Sequence, residues 1–193
     1  MKNKLCTLLI IIISIITLCS VGCGRKEYTK EEVYQDFQKQ ISKITSYTCT
    51  AKVEAIGNKE STTYIFKQTY IKPDYYKLEV KSPQNLKGKT IEYKGNKILV
   101  HNPNVNDTVE LPNINNESNY LFIGDFMKNE EVVLEATESE LKIEIGIHGD
   151  NKYFNKQILY INNKTKNPYK MEIIDNKGEK VFIVTYEDFK YKK

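Results

Sequence analysis

The chain of 193 residues carries few groups able to do chemistry: four cysteines, two histidines, and carboxylates interleaved with lysine. Cys23 stands apart by its surroundings. It closes "SVGC" at residues 20–23, near the end of an uncharged run at residues 5–24 that Lys2 and Lys4 precede. A charged start, an aliphatic stretch and small residues directly before a cysteine form the pattern of a lipoprotein signal sequence. Ser20 stands where Leu is usual in such a motif. The chemistry is thiol acylation: diacylglycerol is joined to Cys23, the chain is cut before it, and the lipid holds the new N-terminus on the outer face of the membrane. Two acyl chains anchor stably where one does not. The apolar run approaches the roughly 20 residues that span a bilayer. An uncleaved helix and ordinary secretion therefore stay open beside lipidation.

Lipidation divides the chain into a signal peptide (1–22), a lipidated tether (23–29) and one domain (30–193). Cys6 and Cys19 leave with the signal peptide. Cys49 then stands alone, so the domain has no internal disulfide. It lies in "SYTCTAKVEA", a strand-like stretch, and reads as a small half-buried hydrophobe rather than a reactive thiol. His101 in "LVHNPN" and His148 in "GIHGDN" lack the spacing of a metal motif; Asp107 or Asp150 would have to join them. No metal site and no catalytic residue is assigned. The sequence has neither a phosphate-binding glycine loop nor a nucleophile elbow. The pairs Glu130/Glu131 and Glu138/Glu140 read as solvated surface. A net charge of +4 without a basic stripe excludes a nucleic-acid partner.

The elements that position these residues are legible by period. "TKEE" at residues 29–32 fits a capping box. Val33, Phe37, Ile41 and Ile44 follow at helical spacing, predicting an amphipathic helix of about four turns. From Thr48 the period becomes two: Tyr76, Leu78 and Val80 alternate with lysine and glutamate, as do Leu141, Ile143 and Ile145. Turn signals such as "KGN" and "DNKG" separate the runs. Eight to ten antiparallel strands are expected. Leu121, Phe122, Phe126 and Met127 suit a short second helix. The predicted fold is α+β and mostly β: a curled antiparallel half-barrel with both helices in its concavity. Without a reactive set, such a fold works by binding a protein or an apolar ligand.

Three stretches in order, "YIKPDYYKLEV" (70–80), "IEYKGNKILVHNPN" (91–104) and "LYINNKTKNPYKMEIIDNKGEKVFIVTYEDFK" (159–190), resemble the LolA/LolB-like lipoprotein-sorting superfamily. Lys77 stands where many members have Arg, and the chain has no Trp. Within the superfamily the lipid signal and size are most similar to germination lipoproteins of the GerS type from spore-forming clostridia. The resemblance implies a LolA-like half-barrel and a non-enzymatic role with no cofactor of its own. It implies binding and activation of a spore cortex N-acetylmuramoyl-L-alanine amidase of CwlD type. That partner carries zinc, and its activity leads to muramic-δ-lactam and germination. It further implies a strand-exchanged homodimer and a place in the intermembrane space of the spore or forespore. A carrier or sensor of an apolar lipid or lipoprotein is the alternative. Exposed apolar and basic positions expected at a partner surface are Tyr70 and Lys72, Tyr120, Phe122, Phe126 and Met127, and Tyr169 and Lys170. A purely core role for the segment containing Phe122, Phe126 and Met127 is the competing reading.

Overall fold

The computed structural model describes residues 29–112, 123, 132–137, 139–147 and 153–192. The first element is α1 (Lys30–Ile41). Its capping box forms as expected: the Glu32 amide donates to Thr29 Oγ1 at 3.2 Å, and the Thr29 amide donates to Glu32 Oε2 at 3.1 Å. Two donors that no helical carbonyl can reach are thereby satisfied. Val33, Phe37 and Ile41 are buried along one stripe. Ile44 lies beyond the helix end yet is also buried, so the apolar stripe runs past the hydrogen-bonded element.

Among the described residues eleven strands follow: β1 (Ser46–Ile56), β2 (Ser61–Ile71), β3 (Tyr75–Ser82), β4 (Thr90–Lys94), β5 (Lys97–Asn102), β6 (Asp107–Pro112), β7 (Val132–Ala136), β8 (Glu140–Gly146), β9 (Phe154–Asn162), β10 (Pro168–Asp175) and β11 (Lys180–Lys192). That is one more than the expected upper bound. The reason is visible in β6, where all six residues are exposed and no buried alternation marks the strand. The tight turn read from "KGN" joins β4 to β5, with Gly95 at φ 58°; "DNKG" joins β10 to β11, with Gly178 at φ 86°. A positive φ is the conformation that glycine adopts without steric cost.

All strands form one antiparallel sheet in the order β6-β5-β4-β3-β2-β1-β11-β10-β9-β8-β7. The chain lays strands outward from β1 to β6. It then restarts at the opposite border with β7 and returns inward. The first and last strands therefore pair at the centre, and β6 and β7 end the sheet.

Register places side chains in rows across one face. Tyr191, Tyr47, Tyr70, Tyr76 and Tyr93 are successive neighbours on β11, β1, β2, β3 and β4. Tyr47, Tyr70 and Tyr76 are each 1% exposed. Their rings approach at 5.4 Å and 4.9 Å between centroids, in the range where aromatic pairs attract. Val53, Val184, Met171, Leu159 and Ile143 form a second row through the C-terminal half. The helix residues Val33, Phe37 and Ile41 join the same core, so α1 covers this face. The short second helix expected around residues 121–127 lies outside the described residues, except for Ile123, which is buried in that core.

Candidate functional site

The outer face of β8–β11 carries an organised group of charged and aromatic side chains. At its centre is Glu172 on β10, only 2% exposed. Its neighbours Met171, Ile173 and Ile174 are buried too, so β10 is covered on both faces. A buried carboxylate is costly unless paired, and this one has three partners. Lys170 Nζ lies at 2.6 Å and Lys180 Nζ at 2.9 Å from Oε1, and Tyr160 Oη donates to Oε2 at 3.0 Å. Burial alone would raise the Glu172 pKa. The hydrogen bonds from Lys170, Lys180 and Tyr160 overcome that and hold it below the usual carboxylate value. Burial, with Glu172 beside it, pushes the Tyr160 hydroxyl up to about 12.

Lys170 and Tyr169, both expected at a partner surface, belong to this group. Lys170 Nζ also sits 4.6 Å from the Tyr160 ring centre, and Lys142 Nζ sits 5.3 Å from it. Tyr169 is 37% exposed and its hydroxyl donates to Glu140. Burial and that hydrogen bond raise the Tyr169 pKa to about 12. Glu140, read from sequence as plain surface, is thus tied to β10. Glu172 was missed by sequence reasoning. Its signal was faint: a single acid inside "KMEII", directly between the apolar residues Met171 and Ile173.

The other expected positions fall differently. Tyr70 does not reach the surface: it is a member of the tyrosine row, 1% exposed. Its place in the register with Tyr47 and Tyr76 turns it toward the core, which corrects the exposed reading. Lys72 is half-buried, and its Nζ donates to the Ser42 carbonyl at 3.2 Å. A cation at the end of α1 satisfies a carbonyl that no helical amide reaches. Tyr120, Phe122, Phe126 and Met127, together with Cys23, His148 and Asp150, lie outside the described residues. His101 Nδ1 is 3.0 Å from Thr108 Oγ1 across the β5–β6 hairpin. Asp107, considered as its metal-ligand partner, caps its own turn by accepting from the Thr108 amide at 2.8 Å. Among the described residues no cluster of three or more His, Cys, Asp or Glu could hold a metal. Cys49 is a free, buried thiol whose pKa burial pushes well above the ordinary value. It touches Gln68 Oε1 at 3.8 Å.

A model of the sporulation protein YdcC-like family matches residues 2–193. The chain belongs to the YdcC-like sporulation protein family. Among solved structures, this YdcC-like chain is similar to a chain in the structure of the CwlD amidase from Clostridioides difficile in complex with the GerS lipoprotein. The identity is 53%, over 88% of this chain and 100% of that chain, with a TM-score of 0.53. An uncharacterised conserved protein from Thermus thermophilus is 16% identical over 84% of this chain and 87% of its own, with a TM-score of 0.50, a likeness of fold alone. A LolA superfamily protein from Nitrosomonas europaea is 15% identical over 82% and 93%, with a TM-score of 0.48. No curated protein matches the sequence.

Two further surfaces of the YdcC-like chain are open. A shallow apolar depression of about 440 Å³ lies at one end of the strands, with Ile56, Tyr153, Phe154 and Phe182 in its lining. Tyr153 is 75% exposed there. The second is the border at β6, with which no strand but β5 pairs among the described residues. No helix among the described residues is long and apolar enough to cross a membrane.

Proposed function

We propose that this YdcC-like protein is a membrane-anchored, non-enzymatic lipoprotein that binds and activates a spore cortex N-acetylmuramoyl-L-alanine amidase of CwlD type. The observation that carries the reading is the 53% identity, over the whole length of that chain, to GerS in its complex with the CwlD amidase. Membership of a sporulation family agrees with it. On this reading the amidase supplies the zinc and the bond cleavage, and the lipoprotein supplies a docking surface. Activation supports muramic-δ-lactam formation and germination. Cys23 carries the diacylglycerol and holds the complex at the outer face of the membrane, in the spore or forespore intermembrane space. The signal peptide, tether and domain run at 1–22, 23–29 and 30–193. A strand-exchanged homodimer belongs to the same reading.

The decisive experiment mixes the purified chain with the cognate amidase and follows complex formation and release of peptide from muramyl substrate. A stoichiometric complex with raised amidase activity is expected. Absence of a complex with the amidase in its metal-loaded state overturns the reading. Cys23→Ser should leave complex formation intact but move the protein out of the membrane fraction; unchanged retention would restore the uncleaved helix. The carrier alternative draws on the same fold. It predicts lipid in native mass spectra of protein taken from membranes.

A further inference from the structure

We propose that β6 is a docking edge for an extended segment of a partner protein, a strand with apolar residues at alternate positions and a basic residue between them. Among the described residues no strand pairs with the outer side of β6, so the backbone groups there form a template for one more strand. The side chains specify what that strand carries. Val109 and Leu111 are two residues apart and share the covered face, yet they are 49% and 45% exposed. Each is the last member of a cross-strand row. Val109 follows Leu78, Ile91 and Val100; Leu111 follows Tyr76, Tyr93 and Ile98. The earlier members are flanked on both sides and are buried or half-buried. Among the described residues Val109 and Leu111 have a cross-strand neighbour on one side only. A strand added beside them with two apolar side chains in register would continue both rows.

Charge then selects among strands. β6 reads "DTVELP": two acids and no base. Glu110 lies between Val109 and Leu111 in sequence and points to the opposite face, where Lys97 Nζ reaches it at 2.7 Å from β5. A basic residue on the incoming strand can flank Glu110 from the other side. A second copy fits less well. Two β6 strands paired antiparallel about a two-fold axis set Glu110 against another Glu110, against Thr108 or against Pro112, never against a base. The edge also lacks two of the usual protections. β6 pairs with β5 over all six residues without a register shift, so no bulge twists it away, and it carries no lysine. Pro112 blocks pairing only at the very end.

The proposal is independent of the amidase reading, because a chain that failed to bind an amidase could still accept a strand. The test uses the full-length chain in detergent and a fluorescent, end-capped hexapeptide of alternating valine and lysine. Binding is followed by anisotropy, and amide exchange is followed by NMR. Saturable binding is expected, with slowed exchange confined to residues 107–112. The double variant Val109→Lys/Leu111→Lys should weaken binding at least tenfold. Two altered peptides, one with a central proline and one with glutamate replacing lysine, should each weaken binding to the unaltered chain to a similar degree, which keeps the test independent of the variant's folding. No binding, indifference to the proline, or protection elsewhere overturns the proposal. So does protection of residues 107–112 without peptide at twice the monomer mass, which would assign the edge to a second copy.

Discussion

The amide of Ile123 donates to the Tyr47 hydroxyl at 3.2 Å, a buried hydrogen bond between residues 76 positions apart. Tyr47 sits on the central strand β1, and Ile123 lies in the stretch between the two terminal strands β6 and β7. The bond thus pins the connection between the sheet's borders to its middle. Tyr47→Phe should keep the ring packing and leave a buried donor without a partner. A loss of about 1–3 kcal/mol is expected, read as a lower urea midpoint with unchanged slope. An unchanged midpoint would mean that water or another acceptor replaces the hydroxyl.

Glu172 should make stability depend on acid. Its carboxyl pKa is lower in the folded chain than in the unfolded one, because the bonds from Lys170, Lys180 and Tyr160 outweigh burial. The unfolded chain therefore binds more protons near the ordinary glutamate value of about 4.3. The stabilisation is complete above that value and is lost as pH falls through the lower folded value. Glu172→Gln should cost about 1–3 kcal/mol at neutral pH. The gap to the unaltered chain should narrow as pH falls below the ordinary glutamate value and through the lower folded one, where the carboxyl becomes neutral like the amide. Paired urea titrations over a series from neutral to acid pH check this; a gap of constant size throughout would assign the effect to shape rather than charge.

The Cys49 thiol should be inert in the folded protein. It is 3% exposed, and burial raises its pKa well above the ordinary range. The thiolate is the reactive form. Iodoacetamide at mildly alkaline pH should leave the peptide containing Cys49 unmodified in the native chain and label it in denaturant. Labelling of the native chain at the denatured rate would show that β1 opens readily.

Asp188 should be sensitive to side-chain shape. Thr48 pairs with Lys190 and Thr50 with Glu187, so β11 holds one more residue than β1 across this interval. Asp188 sits in the extra position with φ 55°. The bulge shifts the alternation by one. Tyr186 before it, and Phe189 and Tyr191 after it, consequently all turn to the aromatic cluster: Phe189 lies 5.7 Å from Tyr186 and 5.5 Å from Tyr191. Asp188→Val should cost about 1–2 kcal/mol, because a branched side chain resists this backbone region, whereas Asp188→Gly should be tolerated. Deleting Asp188 should leave Phe189 two positions after Tyr186 and opposite Cys49, so Phe189 and Tyr191 stay inward and the chain still folds. Thermal melts of the three variants decide the point.

Much of this architecture was legible in residue order. The capping residues Thr29 and Glu32, the helical stripe of Val33, Phe37 and Ile41, and the alternation in β3 and β8 depend on neighbours a few positions away. Short-range geometry translates them directly into elements. The tight turns at Gly95 and Gly178 are local in the same sense. The candidate surface was harder to read. Tyr169 is exposed and Lys170 half-buried on the outer face, whereas Tyr70 is in the core. "YIKPDYYKLEV" places Tyr70 at a strand end without showing on which side of the sheet it falls.

By itself the sequence determined that one helix precedes a series of antiparallel strands, and where their turns fall, because those features follow from bonds and side-chain periods spanning only a few residues. It also supplied the motif that marks Cys23. Tertiary structure decided what depends on distant partners. The pairing of β1 with β11 set the centre of the sheet and left β6 and β7 at its borders. The bulge at Asp188 decided that Phe189 faces inward. The approach of Lys170, Lys180 and Tyr160 decided that Glu172 could be buried with its charge. A period of two says that successive side chains take opposite faces; only the assembled sheet says which face another element covers.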